Sequence, residues 1–404
     1  MCRLKHMNAP LPLAGVTVVT LEQAVAAPMA TRHLADLGAR VIKIERIGEG
    51  DFARNYDHAV HGLATHFVWL NRGKESVALD LKSASGLQVA HRLISHADVF
   101  VQNSAPGAAE RLGLDPEQLH EKNPRLVIAS ISGYGTAGPL RDRKAYDMLI
   151  QAESGLISVT GTPETATKTG VPSSDIAAGL YTSQSVLAAL FRRERTGRGA
   201  IIDISMFDAT VEWLGHPMYM QLYGGRQIPR MGLGHASITP YDAFPTSDGE
   251  ILIGVQNDRG WRTLVTDVLD RPDLADNPQY ATNPLRVANR AACDAAVAAE
   301  TRRFTTAELD ARLAAAGVPA AKINDMAGLV NHSQLAERDR WREIDTPIGP
   351  VQALLPPMTF RDIELPMGAI PALGAHSEAV LAELGYGADE IDQLVADGII
   401  GHQR

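Results

Sequence analysis

The sequence predicts an α/β protein with a Rossmann-like large domain and a smaller α+β domain. Its first half alternates short runs rich in β-branched residues with helical stretches, a pattern typical of βα units in a mostly parallel sheet. The region 225–330 instead combines a hairpin with alanine-rich helices. A chain of 404 residues, 45% hydrophobic and 21% charged, can bury a large core, and its length indicates two domains.

The first elements predict a βαβ unit. Val16–Thr20 is typical of a strand, Pro28–Gly38 of a helix with Pro near its start and Gly at its end, and Arg40–Glu45 of a second strand. Further elements are expected as strands at Ser76–Leu79, Val99–Val101 and Leu126–Ser130, and as helices over 84–95, 107–112, 116–121 and Ile176–Phe191. The arrangement predicts a doubly wound sheet.

The second half has a different character. Tyr241–Val255 carries a turn at Ser247–Gly249 between alternating apolar residues, and alanine-rich helices are expected between 286 and 317. Final helices are expected over 376–385 and 388–397. The predicted ranges are 8–205 for the large domain, 206–224 for a linker, 225–330 for the small domain and 331–404 for a C-terminal return segment that completes the large domain.

Composition excludes several classes of protein. No uninterrupted apolar run reaches about 18 residues and the first dozen residues lack the apolar stretch of a signal peptide, so we expect a soluble cytoplasmic protein without a membrane partner. The two cysteines, Cys2 and Cys293, form no framework or metal spacing. Net charge is −9 without a basic run, which argues against nucleic acid as a partner.

Two motifs suggest ligands that the rest of the sequence does not support. Gly133–Gly138 satisfies G-x-G-x-x-G, but Pro139 follows it and the first βα turn has no glycine, so we expect a shaped loop rather than a dinucleotide site. His58, His61 and His66 lack carboxylate or cysteine partners at zinc-like spacing, so no metal site is predicted. Nucleophile-elbow and Walker sequences are absent.

Asp175 is the strongest candidate for a catalytic residue. It lies on a turn, within Thr169–Gly179, that leads directly into the predicted apolar helix. There the helix amides and the positive end of the helix dipole are expected to keep the carboxylate ionised and to hold an oxyanion formed beside it. The ordinary alternative is an N-cap, since Asp is favoured at that position.

Short blocks of sequence follow one another in an order that is specific to one family. They are Leu13–Val19, Ala27–Pro28, Leu34–Arg46, Gly50–Asp51, Asn71–Lys82, Ala97–Asn103, Pro106–Gly107, Arg111–Gly113, Ser130–Gly135, Tyr146–Asp147, Thr196–Gly199 and Leu373–His376. In this order they resemble the family III coenzyme A transferases, typified by formyl-CoA transferase and carnitine-CoA transferase. The resemblance covers nearly the whole chain.

The resemblance implies a homodimer of interlocked rings, in which each chain threads through its partner's large domain. Asp175 matches the family's nucleophilic aspartate, which attacks an acyl-CoA thioester to form a mixed anhydride. The released thiolate then gives an aspartyl-CoA thioester, from which an acceptor carboxylate takes the CoA. The implied co-substrate is coenzyme A, the other partners are acyl-CoA and small carboxylic acids, and no permanently bound cofactor is needed.

The resemblance also assigns the residues that contact CoA. They are Val25, Ala26, Arg46, Leu79, Lys82, Asn103, Arg111 and Lys144. Four of them are cations, which suit the phosphates of CoA because such pairs are charge-assisted. For any one of these cations, the alternative is a solvated surface charge. Ser104 departs from the family pattern, since formyl-CoA transferase has an aromatic residue at this position.

Tyr146 distinguishes this chain from related α-methylacyl-CoA racemases. Those enzymes use a His and an Asp as an acid/base pair, whereas here Ala145, Tyr146 and Asp147 occupy the segment of that histidine. Tyrosine is a poor base near neutral pH. Tyr146 is therefore expected at the substrate of a transferase, and the racemase-like epimerase stays as the alternative.

The segment from Arg230 to Phe244 indicates the acceptor. It differs from the glycine-rich loop of formyl-CoA transferase and resembles the branch acting on C4–C5 dicarboxylates, such as itaconate, mesaconate, citramalate and succinate. Arg230, His235, Ser237 or Arg259 is expected to hold the free distal carboxylate. Equally, these residues can order the small domain or the dimer interface.

Two further readings remain open from the sequence. Transfer between two carboxylates of one molecule, as on mesaconyl-CoA, is as compatible with the motifs as transfer between two molecules. A chain that binds acyl-CoA without turnover is the non-enzymatic alternative, although such a protein has no need of a carboxylate at the thioester.

Overall fold

The computed structural model describes residues 9–401, which divide into two compact units. The large unit comprises residues 9–156, 169–215 and 339–401. The small unit comprises Ile157–Lys168 and His216–Arg338. Relative to the predicted domain ranges, residues 157–168 group with the small unit, and its second segment runs from 216 to 338 instead of from 225 to 330.

The strands lie where short β-branched runs occur. They are β1 Thr17–Leu21, β2 Arg40–Glu45, β3 Lys74–Leu79, β4 Val99–Gln102, β5 Val127–Ser132, β6 Ala200–Ser205, β7 Tyr241–Pro245, β8 Glu250–Gly254, β9 Ala320–Lys322, β10 Trp341–Ile344, β11 Val351–Leu354 and β12 Ile400–Gly401. The predicted strands of the first half are confirmed within one or two residues. Strands β6 and β9–β12, most of which are short, were not expected from the sequence.

The helices connect these strands. They are α1 Ala26–Asp36, α2 Thr65–Leu70, α3 Ala84–Ser95, α4 Ala108–Arg111, α5 Pro116–Lys122, α6 Asp147–Glu153, α7 Leu156–Val159, α8 Ser173–Thr196, α9 Met206–Glu212, α10 Gly215–Gly224, α11 Asp258–Thr263, α12 Pro272–Asp276, α13 Asn283–Ala288, α14 Arg290–Thr301, α15 Thr306–Ala316, α16 Met326–Val330, α17 Ser333–Ala336, α18 Ser377–Glu383 and α19 Ala388–Ala396. The predicted linker, 206–224, is helical because it contains α9 and α10. Within residues 9–401, no helix combines the length and apolar content needed to cross a membrane.

The large unit is built on one seven-stranded sheet. Its strand order is β12-β3-β2-β1-β4-β5-β6. All pairs from β3 to β6 are parallel, whereas β12 adds antiparallel to β3. The order 3-2-1-4-5-6 is that of a doubly wound fold, in which ligands bind at the carboxyl ends of the strands, where the order reverses between β1 and β4.

Helices cover both faces of this sheet. Val18 points to the core shared with α1, α8 and α9, whereas the next residue, Val19, points to the core shared with α3, α18 and α19. Val99 and Phe100 of β4 alternate in the same way. This alternation follows from the two-residue period of a strand and explains why the strands are apolar throughout.

The small unit contains an antiparallel sheet of β7, β8 and β9. The expected turn near Ser247–Gly249 joins β7 to β8. Trp261 and Leu264 are fully buried in the core that packs against this sheet. The guanidinium of Arg286 lies 5.4 Å from the centroid of the Trp261 ring and is fully buried there.

Candidate active site

Asp175 is the third residue of α8 and not its cap. The helix begins at Ser173, and its N-cap residue, Pro172, makes no side-chain capping bond. The Asp175 side chain is partly buried. The ordinary role considered for this residue, an N-cap, is therefore excluded by the position of the helix start.

Asp147 caps α8 from another helix. Its Oδ1 accepts hydrogen bonds from the amides of Ser174 at 2.8 Å and of Asp175 at 3.2 Å. Its Oδ2 accepts from Gln151 Nε2 at 2.6 Å, and the carboxamide Oε1 of Gln151 accepts from the Thr169 amide at 3.0 Å. Two side chains of α6 thus fix both ends of the segment 169–175 that carries the candidate nucleophile.

The first turn of α8 has no free amide for an oxyanion. Ser173 N donates to Val171 O at 2.8 Å, and Ile176 N donates to Pro172 O at 2.9 Å. The two intervening amides donate to Asp147. The expectation that this helix start would hold an oxyanion is therefore wrong, because a carboxylate of the protein already occupies that position.

Burial, together with the negative charge of Asp147, raises the pKa of Asp175 to about 7. The sequence suggested instead that the helix start would keep this carboxylate ionised. The helix dipole is compensated by Asp147, so little of its effect is left for Asp175. A carboxyl with this pKa changes its charge near neutral pH and is poorly solvated when ionised.

A close helix contact places Asp175 beside the first βα turn. Gly179 lies one turn after Asp175, and a Cβ atom there would lie 2.7 Å from the carbonyl oxygen of Ala26 and 2.8 Å from Met29 Cβ. Ile176 packs with Val25 in the same small apolar cluster. The absence of a side chain at 179 therefore brings the start of α1 against the start of α8.

The turn after β1 is held in an unusual conformation by buried charges. Ala24 has φ = +62°, a left-handed value that is rare for a residue with a Cβ atom. Its amide donates to Asp51 Oδ1 at 3.1 Å, and Asp51 Oδ2 accepts from Lys43 Nζ at 2.7 Å. Such conformations persist where the surrounding structure imposes them and are common at functional sites.

Glu22 organises the charges below this turn. One carboxylate oxygen accepts from Lys74 Nζ at 2.7 Å and from Lys43 Nζ at 3.4 Å, and all three side chains are fully buried. Burial opposes ionisation of Glu22, but Lys74 and Lys43 outweigh it, so the pKa of Glu22 lies below its ordinary value. With Asp51, the cluster holds two positive and two negative charges.

The residues assigned to CoA follow the carboxyl ends of four neighbouring strands. Val25 and Ala26 follow β1, Arg46 follows β2, Leu79 ends β3 and Asn103 follows β4. Parallel strands end at one edge of the sheet, so these residues share the edge at which a doubly wound fold binds its ligands. The structure brings these predicted residues together at one edge, although they lie far apart in sequence.

Asn103 closes the point where the strand order reverses. Its Oδ1 accepts from the amide of Gln23 and its Nδ2 donates to the Gln23 carbonyl, both at 2.9 Å. These bonds tie the end of β4 to the turn after β1. Ala26 and Leu79 have buried side chains, so only their backbone atoms are suited to a ligand.

The four predicted cations are exposed. Arg46 forms a surface ion pair with Glu49 at 2.8 Å, and Arg111 donates weakly to the carbonyl of Pro106 at 3.4 Å. Lys82 follows β3, and Lys144 precedes α6. Their exposure keeps them accessible to phosphates, but it equally fits solvated surface charges.

A cavity of about 310 Å³ adjoins the same edge of the sheet. It is lined by residues after β4 and β5, including Ser104, Gly107 and Gly135, and by Asp203 of β6. The glycine-rich segment, expected to form a shaped loop, contributes Gly135 and Thr136 to the wall of this cavity. Two of the larger cavities lie near Arg192 and Arg92, toward the amino ends of the strands.

Tyr146 and Tyr56 lie near Asp175 in the large unit. Tyr146 precedes α6 and is 67% exposed. Burial raises the pKa of Tyr56 to about 12, with further contributions from Asp51, Asp175 and Tyr146. Tyr56, Asp147 and Gln151 were not among the candidates from sequence. Only the adjacent Tyr146–Asp147 block pointed toward this group.

Arg230, His235 and Ser237 lie in the small unit. Arg230 donates to the carbonyls of Thr162 and Pro163, both at 2.8 Å, so two of its donors order the chain of this unit. His235 Nδ1 accepts from the amide of Ser237 at 3.1 Å. Neither His235 nor Ser237 is buried. In residues 9–401, no group of three or more His, Cys, Asp and Glu side chains is arranged to hold a metal ion.

These features define a doubly wound α/β protein in which the start of α8, with Asp175, packs against the start of α1. A crystal structure of a CaiB/BaiF family protein from Brucella suis is similar to this chain at 38% identity, with a TM-score of 0.82, and covers 93% of this chain and 99% of its own. The model of CoA-transferase family III matches residues 13–377.

The chain therefore belongs to CoA-transferase family III and is an enzyme of that class. It is 34% identical to human succinyl-CoA:glutarate CoA-transferase over 400 residues, which cover 98% of this chain and 91% of the relative. It is 38% identical to acetyl-CoA:oxalate CoA-transferase of Acetobacter aceti over 330 residues, which cover 81% and 85%. The resemblance inferred from the sequence blocks is confirmed.

Proposed function

We propose that this enzyme transfers CoA from an acyl-CoA to a C4–C5 dicarboxylate through a covalent intermediate on Asp175. The observation that carries the proposal is the placement of this partly buried carboxylate, with its raised pKa, beside the first βα turn of the switch point. An ionised carboxylate with poor solvation is a better nucleophile than an exposed one. The residues assigned to CoA lie at the same edge of the sheet.

The chemistry balances in four steps. The Asp175 carboxylate attacks the thioester carbonyl and CoA thiolate leaves, which gives a mixed anhydride. The thiolate then attacks the Asp175 carbonyl and releases the donor carboxylate, leaving an aspartyl-CoA thioester. The acceptor carboxylate displaces the thiolate to form a second anhydride, and the thiolate finally attacks the acceptor carbonyl. Asp175 is regenerated as a carboxylate.

The acceptor class rests on the relatives and on the small unit. One relative is named for succinate and glutarate, which are dicarboxylates of four and five carbons, and another for oxalate, which has two. His235 and Ser237 offer donors suited to a distal carboxylate. We expect glutarate, itaconate, mesaconate, citramalate or succinate to be accepted in preference to oxalate.

Mass spectrometry tests the nucleophile directly. The protein is incubated with succinyl-CoA without an acceptor, digested, and examined for CoA attached to the peptide that contains Asp175. We expect the adduct in the natural protein and its loss in Asp175→Asn. The exposed substitution Asp392→Asn is the matched control and should leave the adduct unchanged, because Asp175 is retained. An adduct on another residue, or transfer that persists in Asp175→Asn, would reject the mechanism.

We further propose the homodimer of interlocked rings and the cytoplasmic location that the sequence predicts. Helix α8 supports association, because Leu180, Leu187 and Phe191 are exposed apolar residues along its length. Light scattering should give twice the mass of one chain. A mass of one chain at working concentration would contradict the dimer.

A further inference from the structure

A single row of side chains holds the segment 235–239 of the small unit. Arg290 Nη2 donates to the carbonyls of His235 at 2.8 Å, Ile238 at 3.2 Å and Ala236 at 3.5 Å. The remaining two carbonyls of the segment are bound by two other residues of the same row. All five consecutive carbonyl oxygens therefore accept hydrogen bonds from side chains.

Asn283 and Arg286 complete the row. Asn283 Nδ2 donates to the Ser237 carbonyl at 2.9 Å, and its Oδ1 accepts from the Thr239 amide at 3.2 Å. Arg286 Nε donates to the Thr239 carbonyl at 2.7 Å. The spacing 283, 286, 290 is that of one helical face, here spread over α13 and the start of α14. We call Asn283, Arg286 and Arg290 the carbonyl ladder.

The ladder is itself rigidly placed. Arg286 is fully buried, and its other two nitrogens donate to the Tyr280 carbonyl and to Asp258 Oδ1, both at 2.9 Å. Arg290 Nη1 is buried and has no hydrogen-bond partner within residues 9–401. Burying a guanidinium costs free energy. We therefore expect the geometry that Arg286 and Arg290 impose on this loop to serve a function.

A backbone hydrogen bond joins the start of segment 235–239 to Tyr241, just beyond its end. His235 N donates to Tyr241 O at 2.9 Å, and the two rings stack with centroids 5.3 Å apart. His235 Nδ1 accepts from the Ser237 amide, which leaves the ring proton on Nε2 in the neutral form. Burial, with His216 and Arg290 nearby, holds the pKa of His235 below its ordinary value and favours that form.

The result is a loop in which every carbonyl is occupied and two of the five amides are not. In the part of the chain that the structure describes, the amides of Ala236 and Ile238 have no hydrogen-bond partner, whereas every carbonyl from 235 to 239 has one. His235 Nε2–H and the Ser237 hydroxyl add two more donors. Such a set suits an anion with several acceptor oxygens, and a carboxylate has that chemistry.

We propose that the carbonyl ladder preforms segment 235–239 as a recognition loop for the carboxylate of the acceptor. Asn283, Arg286 and Arg290 are then positioning residues, which act through the loop and touch neither CoA nor the reacting atoms. The proposal rests on the proposed function, because it assigns the loop to the acceptor of that reaction. It predicts that weakening the ladder impairs acceptor binding selectively.

Steady-state kinetics of two ladder variants test this assignment. Arg290→Lys keeps the charge but cannot reach three carbonyls with a planar fork, and Asn283→Ala removes both bonds of that residue. With succinyl-CoA and glutarate, we expect the KM for glutarate to rise about tenfold in each, while the KM for succinyl-CoA changes by less than about twofold. Hydrogen exchange should show faster exchange of the loop amides.

Two substitutions outside the ladder serve as controls. Arg302→Lys and Asn289→Ala change the same residue types near the same helix without touching the loop carbonyls, and both should retain the natural KM for glutarate. If the natural protein is active and its ladder variants keep the natural KM for glutarate, the role of the ladder in acceptor binding is overturned while the proposed function stands. A natural protein inactive with all acceptors would overturn the proposed function and this inference together. If Arg290→Lys fails to fold, Asn283→Ala decides.

Discussion

At the scale of single residues, the pairing of two aspartates explains how a carboxylate becomes reactive at neutral pH. Asp147 caps α8 by accepting hydrogen bonds from two of its first amides, so these amides do not stabilise the carboxylate of Asp175. It also adds a negative charge next to the partly buried carboxyl of Asp175. One residue thus organises the helix start and raises the pKa of its neighbour, which links structural and chemical roles in the site.

Asp147→Asn should shift the pH dependence of the reaction. Asp175 must be ionised to attack, so kcat/KM is expected to rise with pH through about 7 in the natural protein. Asparagine keeps an oxygen that accepts from the two amides but removes the like charge, so the acidic limb should move to lower pH. A profile of kcat/KM against pH measures this shift. The exposed control Asp392→Asn should leave the acidic limb where it is. An unmoved limb in Asp147→Asn would contradict the proposed coupling between the two aspartates.

Asp175→Asn should stabilise the protein while abolishing transfer. The pKa of this carboxyl is raised from 3.8 to about 7 in the fold, so the folded state binds its proton more tightly than the unfolded chain does. The stability that this bound proton contributes is fully present below pH 4 and is lost as pH rises through 7. Above pH 7 the Asn variant should therefore be more stable by about 1 to 4 kcal/mol.

Urea denaturation at several pH values checks this sign. The extra free energy of unfolding of the Asn variant should shrink as pH falls from 7 toward 4, because Asp175 of the natural protein then becomes protonated in both the folded and the unfolded state. A stability difference that is independent of pH would indicate that the carboxyl does not have a raised pKa in the folded protein.

At the scale of elements, the contact between α1 and α8 sets the geometry of the site. Gly179 permits an approach at which any side chain would meet the backbone of α1. The start of each helix contributes to the site, through Ala26 in one case and Asp175 in the other. The separation of the two helix starts is consequently set by Gly179, which has no reactive side chain.

Gly179→Ala should loosen this contact. Its Cβ would lie 2.7 Å from the Ala26 carbonyl oxygen, so the helices must separate. We expect a loss of about 1 to 3 kcal/mol in the free energy of unfolding and a fall in kcat/KM. Gly215→Ala is the matched control, because nothing lies within 4 Å of the added atom. Equal effects in both variants would argue against the close contact.

At the scale of the whole chain, buried charges join strands and helices that are distant in sequence. Glu22 follows β1, Lys43 is in β2 and Lys74 begins β3, and their side chains meet in the interior of the large unit. Thr31 of α1 also donates to Glu22, at 2.6 Å. The cluster therefore supports the turn after β1 from below and couples it to the sheet.

Glu22→Gln should be strongly destabilising. It leaves Lys74 buried without its closest charged partner, and breaking such a pair typically costs about 3 to 5 kcal/mol. Since the pKa of Glu22 is lowered in the fold, its contribution is present above the ordinary carboxyl pKa and is lost as pH falls. Glu153→Gln, in an exposed pair with Arg143, should cost less than about 1 kcal/mol. Comparable losses in urea unfolding would contradict this.

The sequence by itself determined the family and the strands of the first half. Apolar β-branched runs predicted β1 to β5 because strands buried on both faces must be apolar along their length, and the ordered blocks singled out Asp175. Local pattern also predicted the hairpin of β7 and β8, since its turn residues are adjacent in the chain.

Only the tertiary structure decided how these residues interact. Asp147 lies 28 residues from Asp175, and nothing in the local sequence shows that its oxygen takes two amides of α8. The ladder that holds residues 235–239 begins 44 residues further along the chain, at Asn283. Propensity and periodicity act over a few residues, whereas caps, charge coupling and close approach depend on atoms that only folding brings together.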